Sequence, residues 1–235
     1  MSKPPRVFHV DRLDLNFKPQ PWPFAAARAA EIDAFFAARQ RENPALWNGQ
    51  VLLMHRHALD GGVFHGDFLR TDFASFSAWH SWGKPEAGVR DCFAAAAILG
   101  ADGAFLLGVM AGHTFNGGRI YFPCGTPDPS DIAGAKVDFE FSVRRELKEE
   151  TGLDVAEFSA EPGWTTVVDD ALIAQIKVLR ARQSAEDVRT RILKQLASEQ
   201  QPELADIRTA RSAADFDPMM PGYVKAFLAH RFGGG

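Results

Sequence analysis

Three glutamates, Glu146, Glu149 and Glu150, stand three and four residues apart in the stretch Arg145-Glu-Leu-Lys-Glu-Glu-Thr-Gly-Leu153. On a helix those spacings bring their carboxylates to one face. Carboxylates so close repel one another and weaken a bare helix, so the arrangement calls for a compensating cation. Hard divalent ions such as Mg²⁺ or Mn²⁺ prefer carboxylate oxygens and would relieve the repulsion. Arg145 lies four residues before Glu149, placed to orient or neutralise it. A solvated, charge-laced helix is the competing reading, and Arg144 and Lys148 would fit it. A nine-residue pattern of defined types favours metal binding over that alternative.

The elements that must position these groups can be read around them. Phe139, Val143 and Leu147 recur every fourth residue, which predicts a buried face opposite the carboxylates. Gly152 then ends the helix at a position that tolerates positive φ. Upstream, Ile120 and Phe122 alternate with Arg119 and Tyr121, as in a strand that runs into the turn at Cys124-Gly125. Between that turn and the helix, Thr126–Ala135 reads as a turn-rich loop. Asp138 directly precedes the helical pattern and is a candidate N-cap.

With Arg119–Gly125 before it, the nine-residue stretch resembles the Nudix box, whose pattern is G-x5-E-x7-R-E-(apolar)-x-E-E-x-G-(apolar). The resemblance is carried by residues 119–153 and extends over 90–180. It implies an α/β class fold, a Nudix-type α/β/α sandwich with a mixed sheet. It also implies a hydrolase that cleaves the pyrophosphate bond of a nucleoside diphosphate linked to another moiety, of the nucleotide-sugar or ADP-ribose type. By resemblance, Glu146, Glu149 and Glu150 with the Cys124 carbonyl hold Mg²⁺ or Mn²⁺. Arg145 orients Glu149, and Arg119 is a candidate phosphate contact. Two departures stand out. Gly125 to Arg145 is six residues longer than the pattern, and the upstream glutamate position falls on Val137, leaving Asp138 as a shorter substitute acid or as the helix cap. A remote glutamate base is common in the family, and Glu157, Glu161, Asp169 and Asp170 are candidates for it. The alternative function is a catalytically silent domain of this kind that binds a nucleotide metabolite as a sensor or partner-binding protein.

Composition narrows the partners. The 235 residues carry a formal net charge of −4, which argues against a nucleic-acid backbone binder. No apolar run is long enough for a bilayer, and Met1–Arg6 leads into no apolar signal core, so the expected setting is the cytoplasm. Two cysteines, Cys92 and Cys124, fit a reducing compartment. The expected partner is a small nucleotide, with a homodimer left open because many relatives are dimers.

Along the chain, residues 1–90 read as an α+β N-terminal extension and 91–235 as the hydrolase domain. Phe8–Phe17 alternates with one slip, Phe24–Arg41 has helical spacing, and a strand follows Trp47. Thr71 or Asp72 is placed to cap a helix carrying Phe73, Phe76 and Trp79. Asp102-Gly103 predicts a hairpin turn between Cys92–Ile98 and Gly103–Met110, and Asp169-Asp170 a second one between Trp164–Val168 and Ala171–Leu179. Val155–Ala160 reads as a strand, Ala185–Ser198 and Pro221–Arg231 as helices. His55 and His57 share a strand face without a visible third metal ligand, so ordinary packing is favoured. Trp79 and Trp82, at helical spacing, read as core rather than as a base-stacking pair.

Overall fold

The computed structural model describes residues 4–44 and 46–233, so the first three residues of the N-terminal lead-in lie outside it. The chain forms two compact units, neither continuous in sequence. One gathers the residues up to Arg12, Phe93–Gly125, and the chain from Phe139 onward; the other gathers Leu13–Cys92 and Thr126–Asp138. The path therefore differs from a single division at residue 90, because the first strand joins the later unit and the 126–138 segment joins the earlier one.

The first unit is built on a sheet with strand order Arg6–Val10, Trp164–Asp169, Leu172–Arg180, Asp91–Leu99, Phe105–Met110, Leu204–Ala210. Every residue of Asp91–Leu99 is buried, as befits a central strand covered on both faces. Its hairpin with Phe105–Met110 turns where expected, with Gly103 at φ +82°. Asp169 pairs with Leu172 across the second hairpin, whose turn residue Asp170 takes φ +54°. Two very short strands carry the chain toward the glutamates: Ile120–Tyr121 pairs with Phe105–Met110, and Cys124–Gly125 with Asp91–Leu99. Helices Phe139–Thr151, Ala185–Leu196 and Gly222–Gly233 belong to this unit. The α/β class expected from the sequence is what the chain adopts.

This unit departs from the sequence reading in two places. Val155–Ala160 is not one strand but a short 3-10 turn, Val155–Glu157, followed by the two-residue strand Ser159–Ala160. The Asp154 side chain accepts the Ala156 amide while Glu157 accepts that of Asp154, a reciprocal cap that folds the segment before it can extend. The strand Leu204–Ala210 was not anticipated; it pairs antiparallel with Phe105–Met110.

The second unit has strand order Gln50–Asp60, Val63–Asp72, Arg12–Phe17, Lys136–Val137, Ile132–Ala133. The slip in the Phe8–Phe17 alternation falls at Asp11, between Arg6–Val10 in one sheet and Arg12–Phe17 in the other. Gly61 and Gly62, at φ +52° and +77°, make the two-residue turn between Asp60 and Val63. The presumed loop after Gly125 contributes Ile132–Ala133 and Lys136–Val137, and Lys136 pairs with Asn16. The alanine-rich helix breaks at Arg28 into Pro23–Ala27 and Ala29–Glu42. Asp72 caps Phe73–Ser81, accepting the Ser75 amide at 2.8 Å. That helix buries Ala74 and Ala78 against Ile32 and Phe36. Trp79 is fully buried, its indole N–H on the Pro85 carbonyl, and Trp82 lies under the Arg28 guanidinium, so both serve packing. Among the described residues no helix is long and apolar enough to cross a membrane.

Candidate active site

The glutamates lie on the helix Phe139–Thr151. Phe139, Val143 and Leu147 are each at most 2% exposed, so the predicted apolar face is the buried one. Gly152 ends the helix at φ +73°, its amide on the Lys148 carbonyl at 2.9 Å. A side chain there would meet Gln195 at 2.5 Å, so both conformation and space demand glycine.

The three carboxylates are not equivalent. Glu146 and Glu150 are buried, at 7% and 2% exposure, whereas Glu149 is exposed. Arg145 places Nη1 2.7 Å from Oε1 of Glu146 and 3.2 Å from Oε2 of Glu149, bridging the two. Glu150 accepts the Cys124 amide through Oε1 at 3.1 Å. Its Oε2 is buried with no hydrogen-bond partner. The turn at Gly125 presses directly on this face, for a Cβ on Gly125 would lie 2.1 Å from Oε1 of Glu146.

Burial sets the protonation of the pair. Desolvation lifts the Glu146 carboxyl to about 7, against the pull of Arg145 and with a further push from Glu149. Glu150 is driven well above the usual carboxylate range, first by desolvation, then by the charge on Glu146; the Cys124 amide opposes this. Two buried carboxyls that resist ionisation, one with an unsatisfied oxygen, form a latent cation site. Among the described residues, no group of three or more His, Cys, Asp or Glu side chains is arranged to hold a metal ion. Arg145 bridges Glu146 and Glu149, and the Glu150 carboxylate alone keeps a buried oxygen without a partner. These hard oxygens suit Mg²⁺ or Mn²⁺, and the orphaned Oε2 of Glu150 is a vacant donor. The residues present therefore fit such an ion, with the protein supplying only part of its shell.

Further groups converge here. The Cys124 thiol lies 3.8 Å from the buried Tyr223 hydroxyl, and Asn116 donates to the Tyr121 hydroxyl at 3.2 Å. Burial and the neighbouring Cys124 push both phenols above their ordinary range. Glu203, just before Leu204–Ala210, adds its charge to the upward push on Glu146, Glu150 and Tyr121. Its carbonyl accepts the Ala111 amide at 2.8 Å, which pins it beside the strand that leads to Arg119. Glu203 was not among the residues singled out from sequence. Its only local signal is an acidic residue after Pro202, which marks many loops.

The other candidates are placed differently. Arg119 is exposed, its amide on the Asn116 carbonyl. Glu157 is taken by its cap and by Arg191, and Glu161 by Arg231 and Arg180; the cap amide in the first case and the arginines in both hold these carboxyls below the usual range, Glu161 against its own burial. Asp169 sits against the start of Gly222–Gly233, where a Cβ on Gly222 would lie 2.5 Å from its Oδ2. Asp170 occupies the hairpin turn. Asp138 precedes the glutamate helix, its amide on the Asp131 carbonyl. His57 stacks on Phe64, and among the described residues neither histidine belongs to a group of three or more side chains that could hold a metal.

No protein-family model matches the chain, and no curated protein sequence matches it significantly. Solved structures similar to it include RenU, a Nudix hydrolase from M. Smegmatis, with 17% identity and a TM-score of 0.38 over 60% of this chain and 81% of that one. The MutT protein from Methanosarcina mazei Go1 overlaps 60% of this chain and 92% of its own at 16% identity and a TM-score of 0.37. The Nudix domain of Shewanella oneidensis NrtR, complexed with ADP ribose, overlaps 66% and 94% at 16% identity and a TM-score of 0.38.

Proposed function

We propose that this protein is a Nudix-type, divalent-metal-dependent hydrolase. It splits the pyrophosphate bond of a nucleoside diphosphate joined to another moiety, with nucleotide sugars or ADP-ribose as the substrate class. The observation that carries this reading is the buried Oε2 of Glu150, which has no partner although Oε1 is held by the Cys124 amide. An unpaired buried carboxylate oxygen costs stability, and a cation is what would satisfy it.

In this reading Glu146, Glu150 and the Cys124 carbonyl hold Mg²⁺ or Mn²⁺, and Glu149 serves from the rim. When bound, the ion supplies neutralisation of the pyrophosphate charge and a water acidic enough to lose its proton near neutral pH. Arg145 keeps Glu146 and Glu149 at fixed positions through its bridge. Gly125 lets the turn lie against Glu146, and the Cys124 carbonyl is assigned as a ligand by the resemblance. Glu203 is assigned as the base that accepts the water proton. It is an exposed carboxylate outside the helix whose charge reaches both buried glutamates. Glu157 and Glu161 suit that role poorly, because their salt bridges make them weak bases.

The test is a hydrolysis screen with Mg²⁺ or Mn²⁺ over nucleotide sugars, ADP-ribose, dinucleoside polyphosphates and nucleoside triphosphates. Glu150→Gln is the blank. One substrate cleaved by the wild type and spared by a folded Glu150→Gln variant supports the reading. A rival reading, a domain that binds a nucleotide without cleaving it, draws on the Arg145 bridge that occupies two of the three glutamates. Its signature is thermal stabilisation by one nucleotide with no turnover on any of them.

A further inference from the structure

A second cluster of charge lies elsewhere in the same unit, around a cavity of about 320 Å³. Three strands present one row of its lining: His9 pairs with Thr165, and Thr165 with Ile176. Val178 and Arg180 follow Ile176 at alternate positions, so they share its face of the sheet. The wall comes from Glu161–Trp164 and from Arg231 on the C-terminal helix. Gly163 is obligatory here, since it takes φ +65° and a Cβ would lie 2.4 Å from Cε1 of His9.

The charges do not balance. Glu161 accepts both terminal nitrogens of Arg231 at 2.9 Å each, and one nitrogen of Arg180 at 2.6 Å. One carboxylate faces two guanidiniums, which leaves a unit of positive charge in the lining; the His9 imidazole beside it has Asp11 at 3.7 Å from its Nε2. Arg231 spends two of its five N–H donors on this fork. Arg180 gives one terminal nitrogen and is 55% exposed along its side chain, so its other donors are open to a ligand. The cavity is at the small end of the range for organic ligands. Ile176 and Val178 offer apolar contact next to the charge.

This cavity is separate from the glutamate site. Tyr223 touches the Cys124 thiol, and Arg231 lines the cavity, eight residues further along the same helix. That is a rise of about 12 Å. A ligand bound at one site does not fill the other.

We propose that this cavity is a binding site for a small phosphate monoester, held by Arg180 and Arg231 in competition with Glu161. The phosphate takes the open donors of Arg180 and draws it away from the carboxylate, and the organic part lies on Ile176 and Val178. Arginine forks match phosphate oxygens, and a phosphate offers three acceptor oxygens to the open donors where a carboxylate offers two. Glu161 fills the place when no ligand is present, so it sets the affinity by competing.

The test is titration calorimetry on the full chain in EDTA, which silences any metal-dependent phosphate binding at the glutamates. Glycerol 3-phosphate and inorganic phosphate are the probes, with acetate and glycerol as controls. The wild type should bind glycerol 3-phosphate in the millimolar range or tighter, and acetate at least tenfold more weakly. Arg180→Gln should weaken binding at least tenfold. Glu161→Gln should tighten it several-fold, the reverse of what a merely structural salt bridge would give. Circular dichroism checks that each variant is folded; should Glu161→Gln unfold, Glu161→Asp, a shorter competitor, serves in its place and should also tighten binding. No binding of either phosphate by the wild type overturns the proposal, as does affinity that is unchanged or weaker in the Glu161 variant.

Discussion

The backbone at Gly125 and the carboxylate of Glu146 share one space: a Cβ on residue 125 would stand 2.1 Å from Oε1 of Glu146. The glycine is not there for a left-handed turn. It is there because two polar groups, a carboxylate and a strand backbone, must approach within contact distance. The same turn gives the Cys124 amide to Glu150, so one tight corner positions both buried acids.

Gly125→Ala should therefore act on the site before it acts on the fold. The added methyl must move Glu146 or the turn, and overpacking of this size costs about 1–3 kcal/mol. The expected outcome is a folded protein with a lowered melting temperature and at least a tenfold loss of turnover. Ala at the exposed Gly134, where no atom lies within 4 Å, is a steric control, although its φ of +63° carries its own strain. Full activity in Gly125→Ala would mean that the turn has no part in the site.

The Glu146 carboxyl gives a pH signature. Its folded value of about 7 lies above its ordinary 4.5, so the folded state holds a proton that the unfolded state releases. The resulting contribution to stability is complete below about pH 4.5 and is lost as pH rises through 7. In EDTA, stability should fall across that window, by about 1–3 kcal/mol for this one group. Glu146→Gln should flatten the slope, since its amide carries no ionisation cost. Saturating Mg²⁺ should also flatten it in the wild type, through binding to the ionised pair. Chemical denaturation at pH 5, 6, 7 and 8, with and without Mg²⁺, measures all three. An identical slope in wild type and variant would remove Glu146 from the account.

What the sequence made legible was what lies within one helical turn or one hairpin. The spacing of Glu146, Glu149 and Glu150 against Phe139, Val143 and Leu147 specifies two faces, and both are as spaced. It does not reveal that Glu149 stays exposed while its neighbours are buried, because that depends on what packs above the helix. Nor does it reveal that Arg145 reaches Glu146, since adjacent residues diverge on a helix and only a long side chain can fold back to 2.7 Å. The strands Ile132–Ala133 and Lys136–Val137 are too short to show alternation and exist because Arg12–Phe17 offers an edge. Glu203 is the clearest omission. It comes to the site by the pairing of Leu204–Ala210 with Phe105–Met110, a relation between segments about a hundred residues apart in sequence.

Glu203 is consequently where the catalytic assignment is most exposed to test. A general base contributes about 10²- to 10⁴-fold to rate. Glu203→Gln should lower kcat by that order while KM changes less than threefold. The acidic limb of the pH–rate profile, which reports the base, should flatten. Glu203 is exposed and only its main chain bonds to Ala111, so the substitution should leave the melting temperature within a degree or two of the wild type. The substitution also removes one negative charge that raises the Glu146 carboxyl, so the stability decline in EDTA should be smaller and end at lower pH. That shift depends on proximity alone. A shift with unchanged kcat would place Glu203 beside the site without a part in the chemistry, and neither effect would place it outside the site altogether.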